Sequence, residues 1–529
     1  MKKPAAKRTP ARKTKTKRAG PLDRFLSGED VEMLRQMLTN ALPNPQPSLD
    51  DRIESFLSCD PANVDEMPET QAMMDLSEEL ERLRIDANGG APKARKALNR
   101  ARERIGEAAR EDDIHPGILI ILGRLFASAK VDVGEAARAS MGRMVAEGLF
   151  QEPGEDGFRA LMQPMLNGLA GDDFGLHEEI RCFSAIFPSA YKAGLVEAVA
   201  SDFGDRARRC APGFLLDPDE ATALAAIRGL AASAARGELD AVTRRRIGLI
   251  RPWLPSARRE ALDLAFPPAA PAQEDAGARI AKATASACDG SGASSLIATV
   301  KRGARVDVVV LLANSRGIGD STLIADAPKK KAQELQREVG RAMPAAETTV
   351  ETWIRLVRLA LGRNLVTNTP PLFEFVRAIE TIGLEQILPD CATPAETIES
   401  LLAGIADRDE EAAIRDAHRA VADSDVAESW FEAGEDLEAV LQPTRTAAEG
   451  VRAMLEAYLP RRRDFWSSQC ALTALALSAA PPPEGWRAFA LVGRDLARNT
   501  PLTEIPLMAR IAEKSVNAFF ANRRRAGSS

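Results

Sequence analysis

The chain is poor in the residue types from which most catalytic and metal sites are built. Of 529 residues 5% are aromatic, three are histidine, two are tyrosine and six are cysteine. Few large rings beside abundant alanine suit closely packed helices better than a broad β core. Cys59, Cys182, Cys210, Cys288, Cys391 and Cys470 include no CxxC pair, and the closest two stand 28 positions apart. That spacing excludes a small disulfide-rich scaffold and reads as buried thiols in a reducing compartment. His115, His177 and His418 are isolated, and His177-Glu178-Glu179 has no second histidine four positions on, which excludes a zincin helix. The longest apolar runs, at 114–127 and 470–480, fall short of the roughly 20 residues that span a bilayer. The opening residues have neither the apolar core of a secretory signal nor the amphipathic face of a transit peptide. A cytoplasmic location is expected, with no membrane contact, no cofactor and no metal.

What is present is charge, unevenly placed. The net charge is −6, yet residues 1–20 carry nine lysines and arginines and no acid, which leaves −15 on the remainder. The basic side chains are Lys2, Lys3, Lys7, Arg8, Arg12, Lys13, Lys15, Lys17 and Arg18. No aliphatic residue larger than alanine follows Met1 there, so a disordered tail over 1–20 is expected. Such a tail either grips a phosphate backbone or other polyanion in a salt-sensitive way, or solubilises the chain and docks on its acidic body. Residues 407–438, with twelve acids against Arg408, Arg415 and Arg419, are a candidate docking face. No aromatic is interleaved with the lysines, which argues against base stacking.

Behind the tail the hydrophobic spacing is helical. Residues 21–112 read as an N-terminal helical segment whose last helix, from Pro92 to about Arg110, is strongly basic, with Leu98 and Ile105 on its apolar face. Residues 113–268 read as paired helices: Leu176, Ile180, Phe183 and Phe187 share a face until Pro188 stops the run, and Tyr191, Leu195 and Val199 form the next stripe. Residues 269–342 are expected to hold a linker, a short helix and then a β-β-β-α module. Its strands are Leu296-Ile-Ala-Thr-Val300, Val306-Asp-Val-Val-Val-Leu-Leu312 and 318–325, separated by glycine turns. Residues 343–529 read as a C-terminal helical domain, with Thr348/Glu351 and Thr393/Glu396 at capping-box spacing and Gly383 closing a helix. The fold class expected is mainly α, with the small β module near the middle as the joint between two helical halves.

Two stretches carry a resemblance. Leu215-Leu-Asp-Pro-Asp-Glu-Ala-Thr-Ala-Leu-Ala-Ala-Ile-Arg-Gly-Leu230 resembles the first-helix pattern of HEAT-type repeats, through Asp217, Pro218, Ala225, Ala226, Ile227 and Leu230. The resemblance implies an irregular α-solenoid and nothing about chemistry. Ala313-Asn-Ser-Arg-Gly-Ile-Gly319, following an apolar strand, resembles the Ser-Arg-Gly-Ile-Gly of short-chain dehydrogenases. Ala313 replaces the first glycine, and Tyr191 and Tyr458 are followed four positions on by Leu195 and Arg462 rather than lysine. A hairpin turn is the better account. Asp289-Gly-Ser-Gly292 lacks the Gly-Lys-Ser/Thr ending of a P-loop and also reads as a turn. The pattern as a whole points to a non-enzymatic scaffold or protein-interaction protein with a protein partner. One alternative is a nucleic-acid-associated factor using the basic tail; a second is an enzyme whose site assembles from distant residues at the seam between the β module and a helical half.

Overall fold

The computed structural model describes residues 47–59, 70–88, 91–111, 114–148, 172–267, 279–342, 344–403, 411–479 and 484–526. The tail from Lys2 to Arg18 and the Pro/Ala-rich linker after Pro267 lie outside the described residues. The fold is mainly α, with one antiparallel sheet near the middle of the chain. Among the described residues no helix is long and apolar enough to cross a membrane.

The N-terminal body opens with α1 (Leu49–Leu57), α2 (Thr70–Asn88), α3 (Pro92–Arg110), α4 (Pro116–Ser128) and α5 (Glu135–Ala146). Ser48 and Asp51 close a reciprocal capping box at the start of α1, which satisfies two backbone donors that a bare helix end leaves open. The basic helix α3 buries Leu98, Ala101, Ile105 and Ala108. Two of its arginines meet carboxylates of α1, Arg100 with Asp50 at 3.0 Å and Arg104 with Glu54. Exposed pairs of this kind are worth roughly 0–1 kcal/mol each, but they place acid where a phosphate would otherwise lie.

Next come α6 (Asp173–Ser184), α7 (Ser189–Ser201), α8 (Asp205–Cys210), α9 (Glu220–Ala235), α10 (Ala241–Ile250) and α11 (Ser256–Ala265). Helices α7 and α9 approach so closely that a Cβ at Gly229 would stand 2.5 Å from the Glu197 carbonyl oxygen and 2.6 Å from Cβ of Ala200. Small residues are what permit that approach. The Leu-Asp-Pro-Asp turn works differently from a simple cap. Helix α9 starts at Glu220, and Asp217 sits buried before it. Its carboxylate takes the Lys192 ammonium at 2.7 Å and its carbonyl accepts from Arg258 at 2.6 Å.

The sheet has five strands rather than the three expected: β1 (Ile280–Ser286), β2 (Ser294–Arg302), β3 (Arg305–Asn314), β4 (Gly317–Pro328) and β5 (Ala345–Thr348), in the order β4-β3-β2-β1-β5 with every neighbour antiparallel. The three strands read from the sequence form the meander, turning at Gly303 and Gly317, both at positive φ. Where a short helix was expected, Ile280-Ala-Lys-Ala-Thr-Ala-Ser286 is β1. Its alanines suit a helix as well as a covered strand, and pairing on both edges decides the outcome rather than local preference. Helix α12 (Lys329–Ala342) covers the outer face over Ile297, Val306, Val308 and Ala327, with Lys329, Lys330 and Lys331 exposed as expected. The next helix is capped by Thr349, which accepts from the Thr352 amide, one residue later than the spacing suggested, because Thr348 is the last residue of β5.

Helices α13 (Val350–Val366) and α14 (Phe373–Ile382) pack on the inner face of the sheet and share one continuous core with the N-terminal body. A second core is built from α15 (Pro394–Leu402), α16 (Glu411–Ala422), α17 (Glu435–Leu441), α18 (Ala447–Ala453), α19 (Arg463–Leu477), α20 (Glu484–Ala497) and α21 (Pro506–Ala526). The division between cores therefore falls near residue 390, whereas the sequence pattern places its boundary at 343. The sheet joins the two. Trp430 of the second core donates its indole N–H to the Cys288 carbonyl at 2.9 Å, and Ala287 is buried in that core.

Candidate functional site: an arginine-lined cleft at the seam

The seam between the sheet and the second helical core holds a cleft of about 240 Å³. Its walls come from the β3–β4 turn (Ser315), the last turns of α13 (Leu359, Gly362, Arg363, Val366, Thr367), the 390–394 segment leading into α15, and α19 (Ser468, Ala471, Leu472). Each wall is fixed by a specific local device.

Asn364, buried inside α13, clamps the turn that the sequence likened to a nucleotide-binding loop. Its side-chain oxygen accepts from the Ile318 amide at 2.9 Å, and its amide group donates to the carbonyls of Arg316 and Ile318. The hydroxyls of Thr367 and Thr369 donate to the same Arg316 carbonyl, each at 3.0 Å. Gly317 has φ +115°, and a side chain there would overlap Asn364. The glycines thus serve a clamped turn, and Ser315 at its tip borders the cleft.

The opposite wall is held against α13 by close backbone approach. Asp390 donates its amide to the Arg358 carbonyl at 2.8 Å, and Arg358 donates to the Leu388 carbonyl at 3.0 Å. Any Cβ at Gly362 would overlap the Asp390 carbonyl. Thr393 and Glu396 then form the capping box that starts α15, as their spacing predicted. Cys391, exposed on this wall, has its thiol 3.9 Å from the Gly362 carbonyl.

Among the described residues Arg363 is the one basic side chain lining the cleft. Its guanidinium donates to Ser468 Oγ and, at 3.5 Å, to the Asn314 carbonyl. Among the described residues no carboxylate pairs with it, and burial holds it below the usual guanidinium range. Asp390 also borders the cleft, and its carboxylate accepts from the Ala392 amide at 3.0 Å. A desolvated cation with only neutral acceptors is a receiver for an anion. No motif announces this arrangement: its residues lie at 315, 359–367, 390–397 and 468–472.

The other sequence candidates are structural. In Asp289-Gly-Ser-Gly292 the Asp289 carboxylate itself takes the amides of Ser291 and Ala293 at 2.9 and 2.8 Å, so those amides do not face an incoming anion. His177 lies buried between Phe214 and Phe373, ring centroids 4.5 and 4.8 Å away. Burial pushes its pKa down to about 3. Between that value and the ordinary 6.5 the unfolded chain binds a proton that the folded one refuses. Stability is therefore full above pH 6.5 and is lost as pH falls, by about 1.4 kcal/mol per pH unit from this group. Denaturation midpoints of wild type and His177→Gln between pH 6.5 and 4.5 check this, the wild-type dependence being the steeper. His418 pairs with Asp495 at 2.8 Å, tying α16 to α20. His115 caps α4 by accepting from the Gly117 amide. Glu178 is bound by Arg181, and Glu179 by Arg124. Two further arginines serve the packing: Arg246 pairs with Glu380 and Asp173, while Arg462 donates to buried Glu432 at 2.8 Å and stacks on Phe465 at 3.9 Å. Among the described residues no group of acids, histidines and cysteines is placed to hold a metal ion. A second, shallower concavity, lined by Thr444, Arg445, Phe520, Arg523 and Arg524, lies beside the last turns of α21.

Fold and cleft together define an α-rich protein of two cores joined through a five-stranded antiparallel sheet. Residues 188–269, covering α7 to α11, match a family domain described as the Y4lR second domain, and residues 395–520, covering α15 to α21, match the Y4lR C-terminal helical domain. The chain is 25% identical over 480 residues to a Sinorhizobium fredii protein named "Uncharacterized protein y4lR", spanning 86% of this chain and 90% of that relative. No solved structure matches. The second matched domain begins one residue into α15, so the cleft is made from its edge together with the sheet and α13.

Proposed function

We propose that this chain is a non-enzymatic interaction scaffold, cytoplasmic, whose receiving site is the Arg363 cleft and whose ligand is an acidic group of a protein partner. The observation that carries the reading is the guanidinium held by neutral acceptors in an open cleft, with Val366 78% exposed at its rim. An apolar side chain left in water beside a desolvated cation is a pair of contacts for one ligand. The alanine- and glycine-mediated packing of α7 on α9 supports a HEAT-like stack. The buried thiols of Cys182, Cys210, Cys288 and Cys470 suit a reducing compartment. Parallel affinity capture with immobilised wild type, Arg363→Gln and Val366→Asp tests the idea in mild salt. A protein retained by wild type and missing from both variants is expected; equal recovery on all three would sink it.

A second reading, a nucleic-acid-associated factor, is favoured by the concavity that Arg445, Phe520, Arg523 and Arg524 line together. With the basic tail it would grip phosphate, while the α3 arginines paired to α1 contribute less. Filter binding against salt checks it. Removing residues 1–20 should lower the slope of log K on log salt by about 0.7–0.9 for each phosphate that the tail neutralises. An unchanged slope would exclude the tail.

A further inference from the structure

We propose that the Arg363 cleft takes an aliphatic monocarboxylate, one carboxylate on a branched apolar chain of about the size of a leucine. This rests on the receiving-site reading above and narrows its ligand.

Three features carry the choice. The first is charge. Arg363 supplies one positive charge, and Asp390 places a negative one on the same cleft. A second negative charge on the ligand would meet no cation and face Asp390, which disfavours a dianionic phosphate and leaves a single carboxylate as the complementary group. The guanidinium fork matches a carboxylate through two parallel N–H donors. Its present partners, a serine hydroxyl and a carbonyl oxygen at 3.5 Å, are weaker acceptors than a carboxylate. The second is the apolar lining: Leu359, Val366, Ala471 and Leu472 share the cleft with the arginine. A ligand with a charged end and an aliphatic end contacts both, whereas acetate or an aspartate side chain leaves the apolar wall unfilled. The third is size. At about 240 Å³ the cleft lies under the roughly 300–1,000 Å³ of drug-sized sites, which suits one residue-sized group. The same chemistry is presented by a free branched acid and by the last residue of a partner chain, whose main-chain carboxylate and aliphatic side chain sit on neighbouring atoms.

Cys391 supplies a local readout, because its exposed thiol lines the cleft. On the full chain, alkylation of Cys391 by iodoacetamide is followed by peptide mass spectrometry while 4-methylpentanoate, its uncharged amide, acetate, inorganic phosphate or an acetylated hexapeptide ending in leucine is titrated in. Protection by 4-methylpentanoate or by the hexapeptide is expected, with a half-maximal concentration on the order of 1 mM for the small acid. The amide, acetate and phosphate should protect at least about tenfold less well. Protection by the small acid without protection by the hexapeptide assigns a free-acid ligand; protection by the hexapeptide assigns a chain terminus. Arg363→Gln should weaken protection about tenfold or more, and Asp390→Asn should strengthen it severalfold. Val366→Asp, at an exposed position that does not burden folding, should weaken it as well and stands in if Arg363→Gln folds poorly. No protection by either carboxylate, or equal protection by the amide, overturns the proposal. Capture of a partner that still depends on Arg363 would then leave the receiving-site reading standing, so the two fail separately.

Discussion

Replacement of Arg246 by alanine should destabilise the first core by about 3–5 kcal/mol. Arg246 lies on α10 with its side chain 6% exposed, and it ties three parts of the chain together. It donates to the Arg209 carbonyl at 2.8 Å, to Asp173 of α6 at 3.0 Å, and through two nitrogens to Glu380 of α14 at 3.1 and 3.2 Å. Its guanidinium also lies over the Phe174 ring, 4.5 Å from the centroid. Taking the arginine away strands two carboxylates in a place water reaches poorly. Arg245 reaches Glu380 at 3.1 Å and offsets part of the loss, which keeps the figure from rising further. Lysine keeps the charge but not the fork and should recover less than half of it. Urea titrations check both variants, because the shift should appear in the transition reported by Trp253 and Trp353 of the first core and leave that of Trp430 and Trp466 nearly in place.

Gly362→Val should cost about 3 kcal/mol and abolish the cleft. Valine at this position overlaps the Asp390 carbonyl, and backbone on both sides leaves no flexible side chain to move aside. The usual gain from replacing a mid-helix glycine, up to about 1 kcal/mol for alanine, is smaller for valine and is outweighed by the overlap. The least costly relief is to lift the 388–392 segment off α13, which breaks the Asp390–Arg358 and Arg358–Leu388 bonds and moves Cys391 away from Arg363. Iodoacetamide should then modify Cys391 at a rate insensitive to added 4-methylpentanoate. Gly248, with open space around its Cβ, is the control: Gly248→Val should cost about 1 kcal/mol at most and leave the cleft alone.

These two positions show what could be read from sequence and what could not. The helical stripes, the Thr393/Glu396 box, the Gly383 cap and the three-stranded meander were legible because each depends on residues close to one another along the chain. Strand β1 was not, since its seven residues, five of them alanine, threonine or serine, acquire their conformation from partners in β2 and from the more distant β5. The same applies to α13 and α14, which follow the sheet in sequence and look like the start of the next helical unit. Only their burial against β4 and the N-terminal helices assigns them to the first core. The cleft is the extreme case. Gly362-Arg363-Asn364 interrupts an apolar helix with a glycine and two polar residues, and that is the one local clue. Read alone it suggests a helix ending; its meaning comes from the β3–β4 turn, the 390 segment and α19. The dehydrogenase-like Ser-Arg-Gly-Ile-Gly is the β3–β4 turn, and its Ser315 borders the cleft for a reason unrelated to that resemblance.

The bond from the Trp430 indole to the Cys288 carbonyl also gives the molecule a built-in optical gauge. It crosses from one core to the loop between β1 and β2 in the sheet of the other, and the ring is sealed from solvent. Parting of the two bodies by even a few ångströms would wet that ring and shift its emission to longer wavelength before either body unfolds. Docking and folding are thus spectroscopically separable in the unlabelled protein, through a fluorophore that the chain already carries at the contact between its two cores.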